Sequence, residues 1–177
     1  PLPPNLKWSD GEPLTADDFV QSYRRMLSPM LGSEYSYLLW FVKGAEEFNK
    51  GTLTDFSQVG FKAPDAHTLV VELKSPTPFL LQMIASHYAW SPVPVKVIAR
   101  HGPVDQRRNP WTRAGRHVGN GPFRLKEWTP NQKIVVERNP HYWDAANVKL
   151  DGIEFFSVDD IPAEERMFRT GQLHKTN

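Results

Sequence analysis

Cysteine is absent from the 177 residues. That excludes disulfides and thiolate metal sites, and it fits a cytosolic or a bacterial extracytoplasmic chain. No run of 18 apolar residues occurs, so no ordinary membrane-spanning helix is expected. The first residues, PLPPNL, carry neither a basic start nor an apolar stretch, and any export signal is expected to lie outside this chain. An excess of one charge is also missing. Lys plus Arg is 21 and Asp plus Glu is 20, for a net charge of +1, which recommends no polyanionic partner and no nucleic acid. Glycine is scarce beside proline, 11 against 16. Prolines at 64, 76, 78, 92, 94, 110, 122, 130 and 140 cut the chain into short pieces, which speaks against a bundle of long helices.

What is present is the composition of a globular protein, 40% hydrophobic and 12% aromatic with 23% charged residues, enough to bury a core. Thr15 before Ala16-Asp17-Asp18 predicts a capped helix start, with both carboxylates at the positive end of the dipole. Phe19, Tyr23, Met26 and Leu27 share one face of that helix, and Pro29 ends it. A second helix is expected from Ser33 to Asn49, with Gly51 as its stop. Residues 59–63 and 67–74 read as a hairpin about Pro64-Asp65-Ala66. Short helices are expected over 78–86 and 93–102. Residues 103–118 are polar and irregular, the best place for a domain boundary or an exposed loop. A second hairpin pairs 121–128 with 133–139 through Thr129-Pro130-Asn131-Gln132, with Pro130 and Asn131 suited to the middle of a type I turn. A strand over 153–158, a helix from Pro162 to Arg169 stopped by Gly171, and a strand in LHKTN complete an α/β (mixed α+β) reading with mixed strand directions.

No catalytic or metal-binding set stands out. The six histidines, at 67, 87, 101, 117, 141 and 174, have no helical pairing and no cysteines nearby. The GNGPF stretch (119–123) lacks the Lys-Ser/Thr ending of a phosphate loop and precedes a strand, so a turn explains its glycines better. No GxSxG elbow exists. The acidic pairs fall at helix starts or on polar faces, where dipole compensation and solvation account for them. The arginines at 100, 107, 108, 113 and 116 read as a solvated loop, with only Trp111 as an aromatic neighbour. No cofactor, bound metal or turnover of peptides is expected. The aromatics of SEYSYLLWF (33–41) are too many for one buried face. Packing is the default for Leu38, Trp40 and Phe41, whereas a tyrosine facing a cleft could cover apolar ligand surface and keep its hydroxyl available.

Six stretches carry a family resemblance: KWSDGEPLTADDFVQSYRRMLSP (7–29), VGFKAPDAHTLVVELKSPTPF (59–79), SPVPV (91–95), VGNGPFRLKEW (118–128), IVVERNPHYWD (134–144) and ERMFRTGQL (165–173). In this order the sequence resembles the extracytoplasmic solute-binding proteins of bacterial ABC importers, family 5, oligopeptide-binding type. The resemblance implies an internal piece of a two-lobed periplasmic binding protein. Residues 1–95 would correspond to the small accessory domain and 96–177 to part of the first ligand-binding lobe, with the opposite lobe outside the chain. It implies capture of oligopeptides without chemistry, presentation to the importer's membrane subunits, and a periplasmic or otherwise extracytoplasmic location, membrane-associated if the protein is a lipoprotein. Tyr35, in its S-x-Y setting, matches a family tyrosine that reaches towards the peptide, and Asn177 falls on a strand bordering the cleft. Apolar residues near Trp8 and at Phe155-Phe156 are expected to be partly exposed, giving self-association and weak or absent peptide binding by the isolated chain. Two alternatives remain at this level. One is a sensor domain of a regulator, which would need a DNA-binding segment. The other is an α/β enzyme, which would need a catalytic set.

Overall fold

The computed structural model describes residues 1–176. Helix α1 is Ala16–Leu27. Its start is held by Asp18, whose Oδ2 accepts from the Thr15 backbone N–H at 2.8 Å and from the Thr15 hydroxyl at 3.1 Å, half of a capping box. Its end is Ser28, in extended backbone, as expected for a residue preceding proline. Tyr23 and Leu27 on its inner face join Leu39, Val42, Ala45, Val59, Phe61, Ala89 and Trp90 in one core.

The region 33–49 departs from the expected helix. A 3-10 turn covers Ser36–Leu39, and a separate helix, α2, covers only Ala45–Asn49. Between them Val42 bridges Leu73 in antiparallel fashion. Lys43 N–H donates to Glu72 O at 3.0 Å, Lys74 N–H to Phe41 O at 2.9 Å, and Gly60 N–H to Lys43 O at 2.8 Å. Gly44 then turns the chain with φ 71°, a conformation that glycine adopts without steric cost. The apolar spacing of Leu39, Val42 and Ala45 is real, and all three are fully buried. It marks core contacts around a strand-like step rather than one continuous helix.

Strands β1 (Phe61–Asp65) and β2 (Thr68–Val71) form the first hairpin, with a register irregularity between Lys62 and Asp65. Its turn sits one step later than expected, at Ala66-His67, where Asp65 Oδ1 accepts from His67 N–H at 2.8 Å. Helices α3 (Leu80–Ser86) and α4 (Val95–Ala99) follow, with a 3-10 turn over Tyr88–Trp90 between them. Strands β3 (Phe123–Thr129), β4 (Lys133–Arg138) and β5 (Gly152–Phe156) make a second sheet in the order β3-β4-β5. Every strand pair among the described residues is antiparallel, against the mixed directions expected. Asn131 has φ 60°, so the 129–132 turn meets the type II requirement for positive φ at its third residue, not the type I geometry. Helix α5 spans Ile161–Arg169. Leu173–Thr176 form no strand.

Trp8 itself is buried, at 4% exposed, while Leu2 and Leu6 near it are partly exposed, as expected. The turn after Trp8 closes through Trp8 N–H to Glu12 O at 2.9 Å and Gly11 N–H to Trp8 O at 2.9 Å, and Trp8 lines a hollow together with Pro94 and Val97. Phe155 and Phe156 are exposed as expected. The arginine-rich segment is not a free loop in its first half. Arg25 Nε donates to Val104 O at 2.6 Å, Ser28 Oγ to Asp105 Oδ2 at 3.0 Å, and Arg107 Nε to Leu31 O at 2.7 Å. Buried Asn109 ties it down by donating to the carbonyls of Ile98 and Pro103, both at 3.3 Å. Among the described residues no helix is long and apolar enough to cross a membrane.

Candidate functional site

Three of the sequence motifs meet at one junction, and its role is structural. Ser9 N–H donates to Gly119 O at 2.8 Å, and Gly119 N–H returns a bond to Ser9 Oγ at 3.2 Å. Asn139 is fully buried. Its Nδ2 donates to Gly121 O at 2.8 Å and its Oδ1 accepts from His141 N–H at 3.0 Å, while its own N–H donates to Pro122 O at 2.9 Å. The His141 ring lies against Gly11, where a β-carbon would stand 3.4 Å from Nε2. The WSDG, VGNGPF and ERNPHYWD stretches therefore hold one another in place. The glycines of GNGPF lead into β3 through an irregular stretch and a bend at Gly121-Pro122, where a turn was expected.

Beside this junction His117 stacks on Trp111, with ring centroids 5.6 Å apart and planes at 14°. Its Nδ1 is buried with no hydrogen-bond partner, and burial lowers its pKa from the usual histidine value. The unfolded chain therefore binds the proton more readily. The stability from keeping this ring neutral is complete above its unfolded value of about 6.5 and is lost as pH falls from there through the folded value. His117→Phe keeps a ring against Trp111 and removes the titration. Its thermal midpoint should drop less than that of the parent between about pH 7 and about pH 5. Equal drops would exclude the assignment.

The chemistry-bearing surface lies elsewhere, on two segments that α1 and the core bring together. Tyr35 precedes the Ser36–Leu39 turn. That turn is fixed by Asn49, whose Oδ1 accepts from Ser36 Oγ at 3.0 Å and from Trp40 Nε1 at 3.2 Å, and whose Nδ2 donates to Leu27 O at 2.9 Å. The second segment is His87-Tyr88. Tyr23 Oη donates to Trp90 O at 3.0 Å, and Val93 N–H donates to Ser22 Oγ at 2.8 Å, so two consecutive residues of α1 anchor the chain from Trp90 to Val93. His87 Nδ1 accepts from Ala89 N–H at 3.1 Å and caps the Tyr88–Trp90 turn. The result is a cluster of four rings. Tyr35 lies 5.0 Å from His87, 5.5 Å from Tyr88 edge-on at 80°, and 6.4 Å from Tyr37, and His87 stacks on Tyr88 at 4.6 Å.

The tyrosines of this cluster face solvent, at 37% for Tyr35, 52% for Tyr37 and 66% for Tyr88. Buried Tyr23 makes a contrast, since burial pushes its phenol well above the ordinary range. Tyr88 is raised too, through local desolvation first, then pairing with the Tyr35 hydroxyl and the negative charge of Glu34. Its phenol therefore keeps its proton at neutral pH and can donate. The face offers ring surface, hydroxyls and one carboxylate, and no nucleophile with an adjacent base. Such a set can bind by stacking and hydrogen bonding.

Tyr35, singled out from the sequence, is thus exposed within an aromatic cluster. His87 and Tyr88 were missed, because nothing local in HYAW (87–90) signals a contact with a residue more than fifty positions earlier. Asn177 lies outside the described residues. Two hollows exist away from this face, one of about 300 Å³ between Trp8, Glu12, Lys96 and Arg100 and one of about 220 Å³ between Trp128, Asn131 and Phe156. Tyr35 lines neither.

Comparison with known proteins bears on what such a face serves. The periplasmic oligopeptide-binding protein OppA of Escherichia coli (strain K12) is 34% identical over 175 residues, covering 98% of this chain and 31% of that protein. A periplasmic oligopeptide-binding protein from Borrelia burgdorferi superposes with a TM-score of 0.89 at 38% identity, covering 97% of this chain and 33% of the other. Haemophilus influenzae OppA, in complex with the peptide RPPGFSPFR, gives a TM-score of 0.85 at 28% identity over 98% of this chain and 35% of the other. The chain thus spans about a third of the length of these relatives. The family model of bacterial extracellular solute-binding proteins, family 5 Middle, matches residues 2–177, which include the two hairpins, α1 and the motif junction. With nearly every residue accounted for, the chain belongs to the bacterial extracellular solute-binding proteins of family 5.

Proposed function

We propose that this chain is part of the substrate-binding component of a peptide ABC importer, capturing oligopeptides outside the cytoplasmic membrane without chemistry and delivering them to the importer's membrane subunits. The observation that carries this reading is the exposed cluster of Tyr35, Tyr37 and Tyr88, braced by α1. A binding wall needs ring surface that water can leave, on a support that does not move. The likeness to a protein whose structure holds a peptide supports the same choice of ligand. Residues 1–95, with the β1-β2 hairpin and the aromatic core, act as the accessory domain, and 96–177, with the β3-β4-β5 sheet, as part of the first ligand-binding lobe.

Capture of this kind draws on backbone pairing and on aromatic contact with side chains, with water filling the remaining room. Tyr35 contributes one wall of that room. Calorimetric titration of the full-length gene product with a mixture of short peptides tests the proposal. We expect saturable binding, and Tyr35→Ala should weaken it by about 3- to 10-fold through loss of the ring contact. Absence of binding across peptides of two to nine residues would refute the reading (the upper limit is the length of RPPGFSPFR).

A further inference from the structure

The aromatic face has one member whose charge is unanswered. Glu34 is exposed, immediately before Tyr35, and its charge is felt at the Tyr88 phenol. It forms no ion pair among the described residues. Arg107, which reaches the backbone two and three residues before Glu34, is engaged there, donating to Leu31 O at 2.7 Å and Gly32 O at 2.5 Å. Three phenol rings and an uncompensated carboxylate therefore stand together on one exposed face. Ring faces carry negative potential and attract cations.

The same chain shows this combination at work on one of its own side chains. Lys50 Nζ stands 4.9 Å from the Trp40 ring centroid and 2.7 Å from Glu46 Oε1. One aromatic face and one carboxylate are enough to hold a lysine ammonium there. The Tyr35 face offers the same two elements, aromatic rings and a carboxylate, without a lysine or arginine of the chain paired to that carboxylate among the described residues.

We propose that Glu34, Tyr35, Tyr37 and Tyr88 form a subsite for a cationic side chain, lysine or arginine, of the bound peptide. This rests on the peptide-binding function proposed for the chain and adds a specificity to it. A neutral side chain of the same length gains the ring contact but neither the cation–π attraction nor the pairing with Glu34. The Tyr88 ring, set edge-on to Tyr35, closes one side of the subsite. His87, stacked behind Tyr88 and fixed through Nδ1, positions that ring and does not touch the ligand.

The test uses the full-length gene product and host peptides of three and five alanines. Lysine is placed at each position in turn and compared with norleucine, its neutral counterpart, at the same position. At one position lysine should bind about 5- to 10-fold more tightly than norleucine, the combined effect of an exposed cation–π contact and an exposed ion pair. Glu34→Gln and Tyr88→Leu should each reduce that ratio by about 2- to 4-fold, and added salt should reduce it in the parent. Host peptides that bind with a lysine-to-norleucine ratio near one at every position would overturn the inference and leave peptide binding standing. A ratio unchanged in both variants would overturn it too. Failure of every host peptide to bind would remove the underlying reading together with this one.

Discussion

Asn139→Ala should destabilise the protein by about 2–4 kcal/mol, the cost of two lost hydrogen bonds plus a small cavity at a fully buried position. The side chain is fully buried and makes two backbone bonds, to Gly121 O and from His141 N–H. Its loss leaves a carbonyl entering β3 and an amide of the ERNPHYWD segment, both part-buried, without these partners. Asn139→Asp should not rescue. A carboxylate still accepts from His141, but it can no longer donate to Gly121 O and adds a buried charge. Asn147 provides the comparison, since its bond to Asp144 is exposed and Asn147→Ala should stay within about 0.5 kcal/mol. Hydrogen exchange of residues 119–141 in the full-length gene product reads the effect locally. Protection lost only in the Asn139 variants is the expected outcome, and equal protection in all three variants would contradict it.

Gly60→Ala should be nearly as costly, about 2–4 kcal/mol, because the added methyl has nowhere to go. A β-carbon at Gly60 would stand 2.5 Å from the Glu72 carbonyl oxygen and 3.1 Å from a Val42 methyl. Both belong to the strand-like step in which Gly60 N–H donates to Lys43 O and Glu72 N–H to Gly60 O. Backbone must separate from backbone to admit the methyl, so relief by a flexible side chain is not available. The same step ends the segment that carries Tyr35, so the variant should also lower peptide affinity. Gly51→Ala, with open space around its position but φ 76°, should show only the milder strain of a left-handed backbone, about 1 kcal/mol. Unfolding midpoints of the two variants measure the difference, and a Gly60→Ala midpoint equal to the parent's would reject the close approach.

How far the sequence could be read depended on the range of the forces involved. Helix α1 was legible because its start signal, apolar face and proline stop are all local. The second hairpin was legible for the same reason, although the positive φ of Asn131 was not, since asparagine suits either turn type. The 33–49 region failed because its helical spacing served a different end. Val42 is pulled into pairing with Leu73, a contact that no local signal encodes. At the candidate site the residue type drew attention to Tyr35, while its neighbours depended on how Tyr23 and Ser22 anchor residues 90–93. Buried Asn139 and the turn-bound Trp8 lay in recognised motifs, yet the bond of Asn139 to Gly121 and the hollow that Trp8 shares with Pro94 join segments about 20 and about 85 residues apart.

The central claim is that the face of Tyr35, Tyr37 and Tyr88 touches the bound peptide. Photocrosslinking tests it most directly, using short alanine peptides with p-benzoylphenylalanine at successive positions and the full-length gene product. Mass spectrometry then maps the adducts. At one position or more, adducts should fall on Glu34, Tyr35, Tyr37 or Tyr88, and excess unlabelled peptide should suppress them. Suppressible adducts confined to other parts of the protein, such as the hollow beside Trp8 and Arg100 or the groove beside Trp128 and Phe156, would contradict the claim.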